Sequence, residues 1–316
     1  MGPADWLVPA NLRHMEILGH TARLGGSRFA WRDADAVIVG PEVASADVYA
    51  ALLRRRRGVR VGLWGHIKSY VSASSRIERP LERWQLRSAD HIFAYTEGGT
   101  AYARELGVPS DKITTVMNSV DVSDIVAAMK HDTDLDSSLP VAQFDGKPVL
   151  GFIGGLDSSK RVGFLAEALD EIWRRDRRIV VLVAGDGEAA HVLDSAVSRG
   201  QVIRLGYADA HIKAAVWKVA RAILMPGRIG LIAVEALAMG RPIITTDWPY
   251  HAPEREYLSE GVSVITVPDN VVAYAESVIA LGQEPPALPE SGWSYPTMDD
   301  MIANFAMGAR KLVLGQ

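Results

Sequence analysis

The 316-residue chain contains no cysteine. That excludes disulfides, thiolate catalysis and cysteine-based zinc sites, and it suits a reducing compartment. No apolar run approaches the roughly 20 residues that a membrane-spanning helix needs. The start, MGPADWLVPANLRH, lacks the basic-then-apolar order of a secretion signal, so a cytoplasmic location is expected. Neither sign of charge dominates. Lys and Arg number 34 against 38 Asp and Glu, a net charge of −4, which argues against a nucleic-acid binder. Hydrophobic residues at 48% and charged residues at 23% describe an ordinary globular chain, long enough for two cores. There is no internal repeat and no low-complexity tract. One basic run, Arg54 to Arg57, closes the helical stretch VYAALLRRRR. Cations there complement a helix dipole, and the same run could make peripheral contact with an anionic membrane.

Short apolar runs alternate with helical patterns along most of the chain. The first block carries DAVIVG (35–40), VRVGLW (59–64), HIFAY (91–95) and KITTVM (112–117), with a polar helical stretch at 75–89. Apolar strands alternating with helices predict a parallel sheet covered on both faces. Residues 1–34 hold no Gly-rich strand–turn–helix, so the block 1–121 is expected to be a reduced domain. The polar stretch HDTDLDSSLPVAQFDGKP makes 122–147 an expected linker. The alternation restarts over 148–283 with PVLGFI, IVVLVAG, QVIRLG, AILMPG, RPIITT and VSVITV, enough strands for a doubly wound domain. The remainder, 284–316, reads as a Pro-rich connector followed by a helix over 297–313.

The chemistry concentrates in MPGRIGLIAVEALAMGRPIITTD, residues 225–247. A strand ends at Met225, Pro226 and Gly227 turn the chain, and Gly230 precedes an amphipathic helix that stops at Gly240. Amides around Gly230 and Leu231 then lie at a helix N-terminus, which suits phosphate oxygens. Glu235 is one turn further along the face of Leu231, where a carboxylate can accept hydrogen bonds from ribose hydroxyls. The plainer alternative is a surface glutamate after a glycine turn.

This segment resembles the glycosyltransferases group 1 family, retaining enzymes of the GT-B fold. The family pattern there is Pro, then Glu-Gly-Phe-Gly-Leu, then a second Glu eight residues after the first. Gly230, Leu231, Glu235, Ala236, Gly240 and Pro242 match it. Gly227 stands in the place of the first Glu, which in the family helps hold the donor sugar, and Arg228 and Ile229 replace Gly and Phe. Some members carry a Pro-Gly-x-x-Gly-Leu version. The resemblance extends to GFIGGLDSSKRVGFLAEAL (151–169), where Lys160 aligns with the lysine that neutralises the donor diphosphate. After Gly154, Gly155 replaces an expected arginine, a duty left to Arg161 or to a basic residue elsewhere. VLVAGDGE (181–188) places Gly185 in a turn beneath the nucleotide, and Gly206 ends a strand near the base. TTDWPYHAPEREYL adds His251 and Glu254 as cleft residues; for His251, a loop histidine bonded to backbone is the alternative.

In the first block the best match is ADHIFAYTEGGTAYARELGVPSDKITTVMNSVD, 89–121. Tyr95, Thr96 and Glu97 leave a strand C-terminus, the edge that faces a cleft in such sheets. Asn118 and Asp121 read as turn-capping residues. His66, in VGLWGHIKS, follows a strand where family members keep a histidine near donor sugar and acceptor, with Lys68 and Tyr70 beside it. The resemblance implies two facing Rossmann-like α/β domains with doubly wound parallel sheets, the N-terminal one reduced. The nucleotide belongs to the C-terminal domain and the acceptor to the N-terminal one, with Lys68, Tyr95, Thr96, Glu97 and His251 on the acceptor side.

The implied reaction moves a sugar from a UDP- or GDP-type donor to the hydroxyl of a glycan, lipid-linked or small-molecule acceptor, with retention. His66, Lys160 and Glu235 are its candidate catalytic residues, and neither a cofactor nor a metal is expected. Asp132, Asp134 and Asp136 have the spacing of an Asp-x-Asp motif but read as solvated linker charge. Two other functions fit the same residues. One is a non-catalytic nucleotide-binding or partner subunit, favoured by the missing Glu and Arg. The other is a nucleotide-sugar hydrolase or epimerase that needs no acceptor. An NAD dehydrogenase fails, because no Gly-x-Gly-x-x-Gly follows a strand with an acidic partner about 20 residues on.

Overall fold

The computed structural model describes residues 13–17, 20–24, 34–55, 58–68, 78–130, 144, 146–284 and 287–315. The chain divides into two compact units, the first of 1–118 with 299–316 and the second of 119–298.

In unit 1, β1 (Arg13–Ile17) and β2 (His20–Leu24) form an antiparallel pair. A separate sheet joins β3 (Ala36–Val39), β4 (Arg60–Gly65), β5 (His91–Ala94) and β6 (Ile113–Thr115), all parallel and in sequential order. Between them run α1 (Ala46–Arg54), α2 (Glu78–Ser88) and α3 (Glu97–Glu105). Right-handed crossovers that always step the same way leave their helices on one face. The burial follows. Val37, Leu63, Ile92 and Ala94 pack with Val48, Leu52, Leu86 and Ala103 on the helix side. The alternate residues Ile38, Trp64 and Phe93 point to the opposite face, as a period of two requires. That face is covered by the terminal helix α10 (Met298–Leu314), through Met301, Phe305, Ala309 and Leu312. The sheet of the N-terminal domain is thus half of a doubly wound one, closed by a helix from the far end of the sequence.

Unit 2 begins with a departure from expectation. The linker expected over 122–147 opens as a helix, α4 (Ser123–Lys130), with Asp121 Oδ1 accepting from Ser123 N at 2.9 Å. Ile125 and Ala128 of α4 enter the unit 2 core. The polar tract behind it had masked one short helical repeat. Most of that tract, including Asp132, Asp134 and Asp136, lies outside the described residues.

The main sheet contains β7 (Val149–Ile153), β8 (Val180–Ala184), β9 (Val202–Gly206), β10 (Ile223–Leu224), β11 (Ile243–Thr246) and β12 (Val264–Val267). Around it lie α5 (Val162–Arg175), α6 (Asp194–Ser198), α7 (Ala210–Val219), α8 (Ile232–Met239) and α9 (Val271–Gln283). The order β12-β11-β10-β7-β8-β9 is the dinucleotide-fold order, with the winding direction reversing between β7 and β10. β7 and β8 are buried along their whole length, which is why VLGFI and VVLVA are unbroken apolar runs. α5 buries Val162, Leu165, Leu169 and Ile172, each contributing about 1.5–3 kcal/mol of burial. The connector after α9 stays on this unit, with Trp293 N donating to Leu237 O at 2.8 Å. Among the described residues no helix is long and apolar enough to cross a membrane.

Candidate active site

At a switch of winding direction the loops leaving neighbouring strands part, opening a crevice at the carboxyl edge of the sheet. In unit 2 three such loops pack in layers. Gly154 N donates to Ala184 O at 3.0 Å, and Gly185 N donates to Gly206 O at 2.7 Å. Gly185 has φ +147°, and a Cβ there would lie 1.9 Å from Gly154 O. Only glycine permits this contact.

After Gly155 the chain makes a one-turn helix, Ser158–Lys160, capped by Asp157. Asp157 Oδ1 accepts from Ser159 N at 2.8 Å, Ser159 Oγ at 2.6 Å and Lys160 N at 3.2 Å. Burial alone would raise this carboxyl, but these donors outweigh it and hold it below the usual range. Lys160 Nζ donates to Arg228 O at 2.5 Å. Burial pushes the Lys160 ammonium down, with Asp157 pulling against it. A desolvated cation of this kind gains most from an arriving anion.

The Pro226–Gly230 turn is pressed onto that helix. Arg228 N donates to Ser159 O at 2.9 Å, and a Cβ on Gly227 would lie 2.5 Å from both Ser159 O and the Lys160 carbonyl carbon. Gly227 therefore contributes close backbone packing, with no room for the carboxylate of the family pattern. Ile229 is fully buried. Ala233 N makes the first bond of the α8 turn, to Gly230 O at 2.9 Å, so the amides just before it form the positive end of α8.

Glu235, on the first turn of α8, is 4% exposed. Its Oε1 accepts from Lys213 Nζ at 2.6 Å, while Oε2 is buried with no hydrogen-bond partner. Both side chains line an open cleft of about 440 Å³ with Gly154, Gly155, Lys160 and Gly185. Asp186 and Tyr207 also line it, the latter 82% exposed and directly after Gly206. Lys213, Asp186 and Tyr207 were not singled out by the sequence. Tyr207 had a signal, an aromatic next to the strand-ending glycine, whereas Lys213 had none, since it meets Glu235 only through folding. Arg228, Gly230 and Leu231 flank the cleft residues in sequence but are not among its lining.

Two of the candidate residues are engaged within the framework of unit 2. Arg161, the candidate second phosphate cation, starts α5 with φ 54° and is committed elsewhere. Its Nη1 donates to Asp269 Oδ1 at 2.5 Å and to Thr246 Oγ1 at 3.2 Å, and its guanidinium lies over the Phe164 ring at 4.4 Å. His251 is 9% exposed and braces two loops: Ile229 N donates to Nδ1 at 3.3 Å, and Nε2 meets Thr246 O at 3.1 Å. Both ring nitrogens of this buried histidine thus meet backbone groups of unit 2.

In unit 1, His66, Lys68, Tyr95, Thr96 and Glu97 gather where β4 and β5 end and α3 begins. The His66 and Tyr95 rings meet edge to face at 4.9 Å, and Lys68 Nζ lies 6.0 Å from the Tyr102 ring centre. Thr96 Oγ1 is buried without a partner. Ile67 and Met117 have φ of 63° and 60°, a left-handed conformation that is strained for side chains of their size. Tyr70 lies outside the described residues. Among the described residues no three His, Asp or Glu side chains gather to hold a metal ion.

Residues 147–284 match the family model described as Glycosyl transferases group 1, and residues 3–119 match the Glycosyl transferase 4-like domain. The 2-deoxystreptamine glucosyltransferase of Streptomyces kanamyceticus is 31% identical over 185 residues, covering 55% of this chain and 48% of that protein. The chain spans about half the length of the curated relatives it matches. Anabaena HepE in complex with UDP has a TM-score of 0.60 at 13% identity, over 90% of this chain and 77% of that one. UDP-GlcNAc 2-epimerase from Neisseria meningitidis bound to UDP-GlcNAc has a TM-score of 0.63 at 17% identity, over 87% and 76%. The chain thus carries a segment that matches the glycosyltransferases group 1 model over 147–284 and one that matches the glycosyltransferase 4-like domain over 3–119.

Proposed function

We propose that the chain acts as a retaining, metal-independent glycosyltransferase that takes a UDP-sugar as donor. The observation that carries this reading is Glu235: a buried carboxylate with one oxygen held by Lys213 and the other unpartnered, in the cleft that Lys160 also lines. Glu235 lines that cleft, where a carboxylate, with about four acceptor sites on its two oxygens, can accept from ribose hydroxyls. Lys160 and the amide end of α8 supply positive potential for a diphosphate. In the reaction the bond between the anomeric carbon and the β-phosphate oxygen breaks, and the diphosphate leaves with the electron pair. The acceptor oxygen bonds to the same face of that carbon, and its proton passes to the leaving phosphate. His66, Tyr95, Thr96 and Glu97 are assigned to acceptor orientation. The UDP complexes of HepE and of the epimerase support a uridine donor, and the name of the Streptomyces relative supports a small polyhydroxylated acceptor.

A second reading is favoured by the likeness to the epimerase, namely rearrangement or hydrolysis of the nucleotide sugar without an acceptor. One set of measurements separates them. UDP, GDP and ADP are compared by thermal shift on wild type and Glu235→Ala, and UDP-glucose is incubated with and without 2-deoxystreptamine. Saturating UDP at 100 times Kd should stabilise the protein by about 2.7 kcal/mol, and the shift should vanish in Glu235→Ala. Transfer with retained configuration, undiminished by EDTA, is the expected result. Free sugar or an epimer without acceptor would establish the second reading, and no shift with any nucleotide would leave a partner subunit.

A further inference from the structure

α10 is apolar on two opposite faces. One, with Met301, Phe305, Ala309 and Leu312, closes the unit 1 sheet. The other carries Ile302 at 59% exposure and Met307 at 46%, with Val313 and Leu314 beyond them at 57% and 64%. A helix with apolar residues on both sides is ordinarily covered on both. Exposed Ala303 and Ala306 occupy the middle of this second face, with exposed Asp299 and Arg310 to either side. An open hollow of about 460 Å³ is lined by Ala303, Ala306, Met307 and Arg310, together with Lys311 and Leu314.

Along the helix, Asp299, Ile302, Ala303, Ala306, Met307 and Arg310 run acid, large apolar, small, small, large apolar, base. The series is symmetric about the point between Asn304 and Phe305. A twofold axis there exchanges positions equidistant from it, so a second α10 laid antiparallel meets its own complement. Asp299 of each copy falls opposite Arg310 of the other, both about 8 Å from the axis at 1.5 Å per residue. Ala303 and Ala306 meet at the centre and let the helices approach. Ile302 and Met307 flank them and lie over the alanines of the other copy. A parallel pairing would instead set like charges together.

We propose that this face of α10 is a self-complementary interface through which two copies of the chain associate about a twofold axis. A single helix pair is a small contact, so a Kd on the order of 10 µM is expected.

Sedimentation equilibrium of the full chain over about 1–200 µM tests the proposal, a range that brackets the expected Kd. Wild type should pass from monomer to dimer. Asp299→Arg and Arg310→Asp, each alone, should weaken association at least about tenfold, since two like-charge contacts replace two ion pairs. An equimolar mixture of the two variants should dimerise like wild type, and so should the chain carrying both changes, because each restores both pairs. Mixing would not repair a folding defect. Ala306→Gln, a good helix former at an exposed position, should also weaken the dimer by holding the helices apart. A wild type that stays monomeric, or a dimer indifferent to these substitutions, would overturn the proposal. Failure of the mixed variants to associate would overturn it as well. A monomeric wild type that binds phosphatidylglycerol vesicles, and loses them with Met307→Ser, would assign the face to a membrane surface instead.

Discussion

Gly227 illustrates how one residue can satisfy a motif position by having no side chain. Its Cα rests against the Ser159–Lys160 peptide, so restoring the family glutamate with Gly227→Glu should push that turn and the Lys160 amine out of place. The expected result is a loss of about 2–4 kcal/mol and weaker UDP binding, measured by urea unfolding and calorimetry. His91 is another residue whose environment decides its behaviour. It is 1% exposed, with Nε2 2.8 Å from Thr114 Oγ1. Burial first, then the charge of Lys311, hold it down to about 4, with Asp111 opposing. The folded value lies below the unfolded one, near 6.5, so the unfolded chain takes up this proton first as pH falls. Stability present above about pH 6.5 is lost towards pH 4, on the order of 3 kcal/mol. Unfolding midpoints measured across that range should fall more steeply in wild type than in His91→Gln. The buried His251 is shifted in the same direction and adds to the acid sensitivity of unit 2.

At the scale of elements, α10 matters most for unit 1. Its periodicity was readable over 297–313, but its partner was not, since the bare face it covers is built from alternate residues of β3, β4 and β5. Phe305 meets the Trp64 ring at 5.1 Å and the Phe93 ring at 4.9 Å. Phe305→Ala should lower stability by about 2–3 kcal/mol, seen as a lower midpoint of the unit 1 transition. The strands were legible for a related reason. Runs such as VLGFI and VVLVA are apolar because both faces of β7 and β8 are covered. α4 was missed because eight residues give barely two turns of periodicity before a long polar tract.

At the scale of the whole molecule, each unit has its own core, and the described residues of the Lys160–Glu235 cleft all belong to unit 2. Differential scanning calorimetry should then show that UDP raises the unit 2 transition by several degrees and leaves the unit 1 transition within about one degree. Equal shifts of both transitions would show that the ligand's contacts extend beyond unit 2.

Local order along the chain was enough to give the alternation of strands and helices, the glycine turns, the start of α8 and the family likeness, because these depend on residues a few positions apart. Lys160 and Glu235, which both line the unit 2 cleft, were singled out that way. The pairing of Lys213 with Glu235, the commitment of Arg161 to Asp269, the bracing role of His251 and the closeness of Gly227 to Lys160 were not. Apart from the His251–Thr246 bond, five positions apart, each joins residues 22 to 108 positions apart, and such contacts are set by which loops the crossovers bring to the same edge of the sheet. Spacing in sequence carries no record of that distance in space.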